Sequence, residues 1–196
     1  MKNTIPYIFL IFSLTTSCKA QNTNPKTEKM KTFDIETFNN KSINKEYSFT
    51  TTDSTIIEQT EWSNEYAEKV KPKNTYFFTI NYYYKDGSLK SEGEYFDFNF
   101  NKGIWKEYDE QGNLINKTDY DAPFKFKWED ILKIIKKREL DMDAYGFRVT
   151  RSAESNPIWY IRWNKNAEKQ ILGMIEIDGT TGKIIKEYEE PYPLED

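Results

Sequence analysis

Two related stretches of this chain constrain its fold more than any other feature. Residues 82–95 read YYYKDGSLKSEGEY, and residues 107–120 read EYDEQGNLINKTDY. At an offset of 25 residues, both contain a Tyr, a turn Gly, a Leu two positions later and a final Tyr. The aligned residues are Tyr83, Gly87, Leu89 and Tyr95 in the first stretch, and Tyr108, Gly112, Leu114 and Tyr120 in the second. Because Gly adopts the positive φ of a tight turn without steric cost, each stretch predicts a β-hairpin.

A lone hairpin cannot bury its apolar face, so we expect the two units to stack. The repeated residues are then interpreted as turn formers and packing residues. In the return strand of the first hairpin, simple alternation places one set on the packed face: Leu89, Ser91, Gly93 and Tyr95. It places a second set on a solvated face: Lys90, Glu92 and Glu94. In the preceding segment 75–84, aromatic residues occur at both even and odd positions, so both faces of a strand would be aromatic. This pattern predicts a central strand covered on both sides.

Downstream of residue 122, the apolar period changes from two residues to 3.6. Segment 127–140 places its apolar side chains on one helical face: Trp128, Ile131, Leu132 and Ile135. Acidic residues begin this segment and basic residues end it, an order that complements the helix dipole. Four strands are predicted after it, at 146–151, 158–164, 170–178 and 183–189, with a last turn at 178–182. We therefore expect a helix packed on an antiparallel meander.

The region before the hairpins is less regular. Segments 46–52 and 54–62 predict two strands joined at Asp53, whereas 62–70 fits either a short helix or irregular structure. The predicted fold class is α+β and β-rich. Its divisions are a signal peptide over 1–17, Cys18 with a flexible tether over 18–32, a β-rich region over 33–122, a helix and sheet over 123–190, and a tail over 191–196.

The amino terminus predicts a membrane anchor. Residues 5–14, IPYIFLIFSL, follow Lys2 and are too short to span a bilayer as a helix. LTTSC comes next, ending at Cys18, the single cysteine. Small residues before a Cys in this place resemble the lipobox of bacterial lipoproteins. The resemblance implies cleavage before Cys18 and lipidation of its sulfur. Because Lys19 rather than Asp follows, it also implies an outer-membrane lipoprotein facing the periplasm. An ordinary secretory signal with an incidental Cys is the alternative.

Residues 82–120, with GIWKEY at 103–108, resemble the MORN-variant repeats of bacterial proteins, some of which are antitoxins of toxin–antitoxin pairs. The helix followed by a meander that turns at IDGTTGKII (177–185) is similar to PepSY-type domains, small modules of the bacterial envelope that are often inhibitory. These resemblances imply a partner protein and an immunity-like, antitoxin-like or inhibitory role. A structural or glycan-binding scaffold of the envelope remains the alternative.

The composition argues against an enzyme. The chain has no histidine, which excludes Ser-His and Cys-His nucleophilic machinery and histidine metal sites. Carboxylates are the remaining candidates, and they form three neighbouring pairs: Asp141 with Asp143, Asp119 with Asp121, and Glu189 with Glu190. With 32 acidic residues, such neighbours arise by chance. We predict no catalytic residue, cofactor or metal. A formal net charge of −4 argues against nucleic acid as a partner.

The segment WYIRW carries the best candidate contact residues. Trp159, Ile161 and Trp163 share one face of the predicted strand. Exposed, this face would be a platform for a sugar or a partner protein, and buried, it would pack on the predicted helix. We favour burial, because aromatic residues of a strand beside an amphipathic helix usually belong to the core. The opposite face then points outward, and its predicted contact patch consists of Arg148, Tyr160 and Arg162.

Overall fold

The computed structural model describes residues 30–97 and 100–192. Two antiparallel meanders and two helices form the fold, which confirms the β-rich α+β class. The larger sheet has seven strands in chain order, and the smaller has four in the order β11-β10-β9-β8. The elements are α1 Ile35–Lys41, β1 Glu46–Thr50, β2 Ile56–Glu61, β3 Tyr66–Lys71, β4 Phe77–Tyr83, β5 Leu89–Phe96, β6 Phe100–Tyr108, β7 Leu114–Asp119, α2 Trp128–Lys137, β8 Arg148–Ser152, β9 Ile158–Asn166, β10 Ile171–Asp178 and β11 Ile184–Pro191. The predicted signal peptide, Cys18 and residues 193–196 lie outside the described residues.

The region before the hairpins contains one helix and three strands. Helix α1 was not expected; Asp34 caps it by accepting a hydrogen bond of 2.9 Å from the Thr37 N–H. For 62–70, the prediction of a short helix is wrong throughout, and that of irregular structure is wrong from Tyr66 onward, because β3 begins there and pairs with both β2 and β4. Trp62 to Glu65 form the connecting turn, closed by a hydrogen bond of 2.9 Å from the Trp62 N–H to the Glu65 carbonyl.

The two predicted hairpins have the same backbone geometry. Gly87 and Gly112 both adopt positive φ, at 87° and 82°, and each N–H donates across its turn over 2.9 Å. A β-bulge follows at the equivalent place in both return strands. Two residues of the return strand then oppose one residue of the first strand. The offset of 25 residues therefore relates two hairpins that are built alike.

The bulge changes which residues share a face. Leu89 lies opposite Tyr83, whereas Ser91 lies opposite Tyr82. Directly opposed residues point to the same side of a sheet, so Leu89 points with Tyr83, and Tyr95 points to the other side. The prediction that Leu89 shares a face with Tyr95 is wrong. We call the side that carries Tyr83 and Leu89 the α1 face, because α1 packs on it, and the other side the Trp105 face.

Two apolar clusters hold the fold. The smaller lies under α1 and consists of Phe33, Phe38, Tyr66, Tyr83 and Leu89. The larger surrounds α2, whose predicted apolar side is confirmed by the burial of Trp128, Ile131 and Ile135. This cluster joins the two sheets. The seven-stranded sheet contributes Phe96 and Phe100, and the four-stranded sheet contributes Val149, Trp159, Ile161, Ile175 and Ile177. Helix α2 therefore packs against both sheets.

Residues 30–33 form a strap across the turns of both hairpins. The Phe33 N–H donates to the Gly87 carbonyl over 2.9 Å, and the Met30 sulfur lies 2.9 Å from where a Cβ on Gly112 would be. Between them, Lys31 Nζ lies 2.8 Å from Glu92 Oε2. Residues 30–32, which we expected in the flexible tether, thus pack on the hairpins instead.

Candidate functional site

The tryptophan face of β9 belongs to the core. Trp159 and Ile161 are fully buried, and Trp163 packs at the edge of the same cluster. The Trp159 indole N–H donates to the Phe126 carbonyl over 2.9 Å, so its polar group is also satisfied. Trp163 lies over Gly173, where a Cβ would come within 2.3 Å of its ring. The prediction of burial is confirmed for this face, which removes it as a platform for a sugar or a protein.

The opposite face of the four-stranded sheet brings the predicted contact patch together. Arg148 of β8 lies directly opposite Arg162 of β9, and Tyr160 is on the same face two residues away. Two like charges in this cross-strand arrangement are destabilising unless something neutralises them. The Arg162 Nε–H donates to the Gly146 carbonyl over 3.2 Å, but a carbonyl carries no net charge.

Each of the other two arginines of the chain has a carboxylate partner that neutralises its charge. Arg138 makes two parallel hydrogen bonds to Glu187, at 2.8 and 2.9 Å. Arg151 lies 2.8 Å from Asp121. Across 30–97 and 100–192, neither Arg148 nor Arg162 has a carboxylate within 4.0 Å. The outer face therefore presents two adjacent positive charges that no carboxylate of the described residues neutralises.

A cavity of about 240 Å³ adjoins these two arginines. Its lining consists of Tyr145, Gly146, Phe147, Arg148, Arg162, Leu172 and Tyr192. Tyr145 is 76% exposed, and its ring lies 6.2 Å from the ring of Tyr192. The Tyr192 hydroxyl is buried and has no hydrogen-bond partner among the described residues. The cavity thus combines two guanidinium groups, two tyrosine rings and one unsatisfied hydroxyl. Tyr160 of the predicted patch does not line it.

Sequence reasoning missed Tyr145 and Tyr192 as parts of this site. Tyr145 comes from the loop before β8, and Tyr192 follows β11. The only local signal was the pair of aromatic residues flanking the predicted sheet. Tyr192 is positioned because its N–H donates to the Gln170 carbonyl over 2.8 Å, which extends the pairing of β11 with β10.

A larger cavity, of about 570 Å³, lies between the two sheets. Tyr95 and Tyr120, the final Tyr of each hairpin, both line it beside the guanidinium of Arg151. That guanidinium is 7% exposed and lies over the rings of Phe100 and Phe124, 4.8 and 4.7 Å from their centroids. It also donates to a main-chain carbonyl of β6. Its contacts are satisfied within the chain.

Burial lowers the pKa of Arg151, and the adjacent carboxylate of Asp121 offsets part of this effect. Arg151 belongs to the smaller sheet, and the carbonyl that it contacts belongs to the larger one. Its role is therefore to connect the two sheets, which distinguishes it from the unneutralised arginines of the outer face.

The first Tyr of each hairpin has a polar role. The Tyr83 hydroxyl donates to Glu68, and the Tyr108 hydroxyl donates to Glu92, each over 3.1 Å. These carboxylates belong to a row of directly opposed polar residues that crosses the α1 face: Gln59, Glu68, Asn81, Glu92, Lys106 and Lys117. Burial, reinforced by the charge of Glu68, raises the pKa of Tyr83. The repeated tyrosines thus bind the sheet's own carboxylates.

The remaining repeated residues do not form a common site. Leu89 is buried under α1, whereas the equivalent Leu114 is 52% exposed. The predicted carboxylate pairs serve local structure. Asp119 Oδ1 accepts from the Asp121 N–H, and Asp141 Oδ1 accepts from the Asp143 N–H, each over 2.9 Å. The third pair is engaged through a salt bridge between Lys165 and Glu189.

Within the described residues, no group of three or more acidic, His or Cys side chains is arranged to hold a metal ion. The same part of the chain contains no helix with the length and apolar character needed to cross a membrane. Comparison with known proteins adds no relative. No family model matches the chain, and no significant match was found among curated proteins or solved structures.

Proposed function

We propose that this chain is a lipid-anchored protein of the bacterial cell envelope that acts by binding a partner protein. In this proposal, Cys18 carries the lipid and the folded region stands at the membrane surface. The binding site is the outer face of the four-stranded sheet around Arg148 and Arg162. An immunity-like, antitoxin-like or inhibitory role is the most specific form of the proposal, and it predicts a dedicated partner.

The unneutralised arginine pair is the observation that carries this proposal. A guanidinium presents a planar set of donors that matches a carboxylate in two parallel hydrogen bonds, as Arg138 and Glu187 show within this chain. Two such groups side by side fit an acidic segment of a partner, with one carboxylate for each arginine. Tyr145 and Tyr192 add aromatic surface beside the charges, a combination that is enriched in protein interfaces.

A binding role also agrees with the chemistry that the sequence offers. The chain has no histidine, and its neighbouring carboxylates are engaged in turns and salt bridges. The glycan-binding alternative loses its aromatic platform, because Trp159 is fully buried. A glycan would have to be anionic to use the arginine pair, and this possibility is one outcome of the experiment.

The experiment is affinity capture from envelope extracts with the lipidated chain as bait. The test variant is Arg148→Glu, since Arg148 is exposed and lies in the patch. The control is Lys136→Ala with Lys137→Ala, which removes two exposed positive charges from α2 and leaves the patch intact. We expect the intact chain and the control to retain one partner protein and Arg148→Glu to lose it.

Two results would contradict the proposal. Retention of the same partner by Arg148→Glu would place the binding surface elsewhere. Recovery of acidic polysaccharide without protein would support the scaffold alternative. Lipidation is tested separately by metabolic labelling with a fatty-acid analogue, which should label the chain but not its Cys18→Ser variant.

A further inference from the structure

The seven-stranded sheet ends at β7 with an open edge. Leu114 and Ile115, at the start of this strand, are 52% and 62% exposed, although Leu89 of the equivalent hairpin is 3% exposed. No strand in the described part of the chain pairs with the outer side of β7. An exposed edge of this kind offers unpaired backbone groups to another strand.

The backbone direction of β7 shows which groups are available. The Tyr120 N–H donates inward to the Gly103 carbonyl over 2.9 Å. Because N–H groups alternate along a strand, those of Lys117 and Asp119 point away from the sheet. Both residues also carry their side chains on the α1 face, since Lys117 lies opposite Lys106 and Asp119 lies opposite Ile104.

Neither of these two side chains has a salt-bridge partner among the described residues, although the Asp119 carboxylate accepts a hydrogen bond of 2.9 Å from the Asp121 N–H and its charge acts on Arg151. Lys117 lies directly opposite Lys106, whose charge is paired with Glu92, so an acidic group on the open side would supply a counter-ion to Lys117. The edge therefore presents one positive and one negative side chain on one face, two residues apart.

We propose that β7 pairs in antiparallel orientation with β7 of a second copy of this chain, about a two-fold axis at Thr118. In this register, Lys117 of each copy lies opposite Asp119 of the other. Both residues have outward backbone groups, so each opposed pair also exchanges two main-chain hydrogen bonds. The two-fold symmetry makes both ion pairs at once, as an isologous interface requires.

Charge selects this register of β7 and favours β7 over β11. Shifting the axis to Lys117 places lysine against lysine, and shifting it to Asp119 places aspartate against aspartate. One edge strand of the smaller sheet, β11, is predominantly acidic, with the segment KEYEE at 186–190, so self-pairing there brings together like charges. Of the two edge strands β7 and β11, which end different sheets, β7 is the self-complementary one.

Cysteine cross-linking tests the register. In the full chain carrying Cys18→Ser, purified in mild detergent, Thr118→Cys places two thiols opposite each other in a non-hydrogen-bonded pair. Their Cα atoms would be about 4.5 Å apart, within the range for a disulfide. Asn116→Cys is the matched control, because its two copies would be about 13 Å apart. We expect a disulfide-linked dimer with Thr118→Cys and none with Asn116→Cys. Equal cross-linking of both, or of neither, would overturn the proposal.

Charge exchange tests the ion pairs in the same background. Adding Lys117→Glu opposes glutamate to Asp119 twice, and we expect cross-linking of Thr118→Cys to slow about tenfold. Adding Asp119→Lys as well restores both pairs with their signs exchanged, so the rate should recover. Recovery distinguishes a lost contact from a damaged fold. A rate that Lys117→Glu leaves unchanged would show that the two strands do not meet in this register.

Discussion

The Tyr108 hydroxyl donates to Glu92 over 3.1 Å, in the same way that Tyr83 of the first hairpin donates to Glu68. Glu92 also accepts from Lys31 of the strap and Lys106 of β6. One carboxylate thus joins the amino-terminal segment to both hairpins. Burial opposes its ionisation, but these hydrogen bonds and charges prevail and hold the pKa of Glu92 below the ordinary value of 4.5.

This lowered pKa predicts a specific pH dependence. A carboxylate whose pKa is lower in the folded state stabilises that state above the unfolded pKa, and the stabilisation is lost as pH falls through the folded pKa. We expect Glu92→Gln to lower the free energy of unfolding by about 1.5 kcal/mol at neutral pH, and the difference from wild type to shrink below about pH 4.5. Urea unfolding from pH 7 to pH 3 measures both.

The control for this prediction is Glu94→Gln on the same strand, whose side chain is 51% exposed and faces Lys102. An exposed pair of this kind contributes less than about 1 kcal/mol. Equal effects of the two substitutions at neutral pH would contradict the role given to Glu92.

The two turn glycines should differ in their tolerance of a side chain. A Cβ on Gly87 would lie 3.0 Å from the Phe33 carbonyl oxygen, whereas on Gly112 it would meet the flexible Met30 side chain. We expect Gly112→Ala to cost about 1 kcal/mol from its positive φ, and Gly87→Ala about 2 kcal/mol or more. Gly103→Ala measures the cost of a positive φ alone, since a Cβ on Gly103 would lie 3.9 Å from the nearest atom, Glu94 Oε2. Urea midpoints at constant m-value rank the three, and a Gly87→Ala cost no larger than that of Gly103→Ala would contradict the close contact.

Removing the guanidinium that connects the sheets should be costly. We expect Arg151→Met to destabilise the fold by about 3 kcal/mol, because it leaves the Asp121 carboxylate without its partner. Arg151→Met combined with Asp121→Asn should recover part of the loss. Arg138→Met breaks an exposed pair with Glu187 and should cost less than about 1 kcal/mol. A double-mutant cycle in thermal or urea unfolding measures the coupling, and additive single effects would count against it.

Two glycines are covered by tryptophan rings, and each should report on its own ring. A Cβ on Gly93 would lie 2.3 Å from the indole of Trp105, and one on Gly173 would lie 2.3 Å from that of Trp163. With 5-fluorotryptophan incorporated, we expect Gly93→Ala to shift the Trp105 fluorine resonance and Gly173→Ala that of Trp163. Each should cost about 1–3 kcal/mol through overpacking. Unshifted resonances would show that the strands move rather than the rings.

Local signals were sufficient for part of the fold. The Gly turns, the alternation before them and the 3.6-residue period of α2 each lie within one segment, so the sequence predicts them directly. The burial of Trp159 was predicted because an amphipathic helix was expected beside its strand. By contrast, the bulge that turns Leu89 away from Tyr95 adds one residue to a strand, and alternation does not detect that. Helix α1 has only seven residues and depends on the burial of Phe38.

The sequence predicted only part of the candidate site, because only part of it depends on signals within a single strand. Arg148 and Arg162 were expected to face outward because they alternate with buried residues of predicted strands. Their direct opposition depends on the register of β8 with β9. The alternation of side chains shows which residues share a face, but it does not show which residue of β8 lies opposite which residue of β9. Tyr145 and Tyr192 reach the cavity from outside the strands, through turn geometry and the backbone contact to Gln170. Such positions are fixed only by the assembled sheet.

The strap has a mechanical consequence. It is the first described part of the chain after the proposed anchor, so tension between membrane and domain would reach residue 30 before any sheet strand. The load would then pass to the Phe33 ring, which stacks on Tyr66 at 4.5 Å, and to the hydrogen bond with Gly87. Peeling this segment away would uncover the aromatic cluster under α1. With Cys18 lipidated as proposed, the first hairpin would therefore be the first part of the domain to resist tension from the membrane.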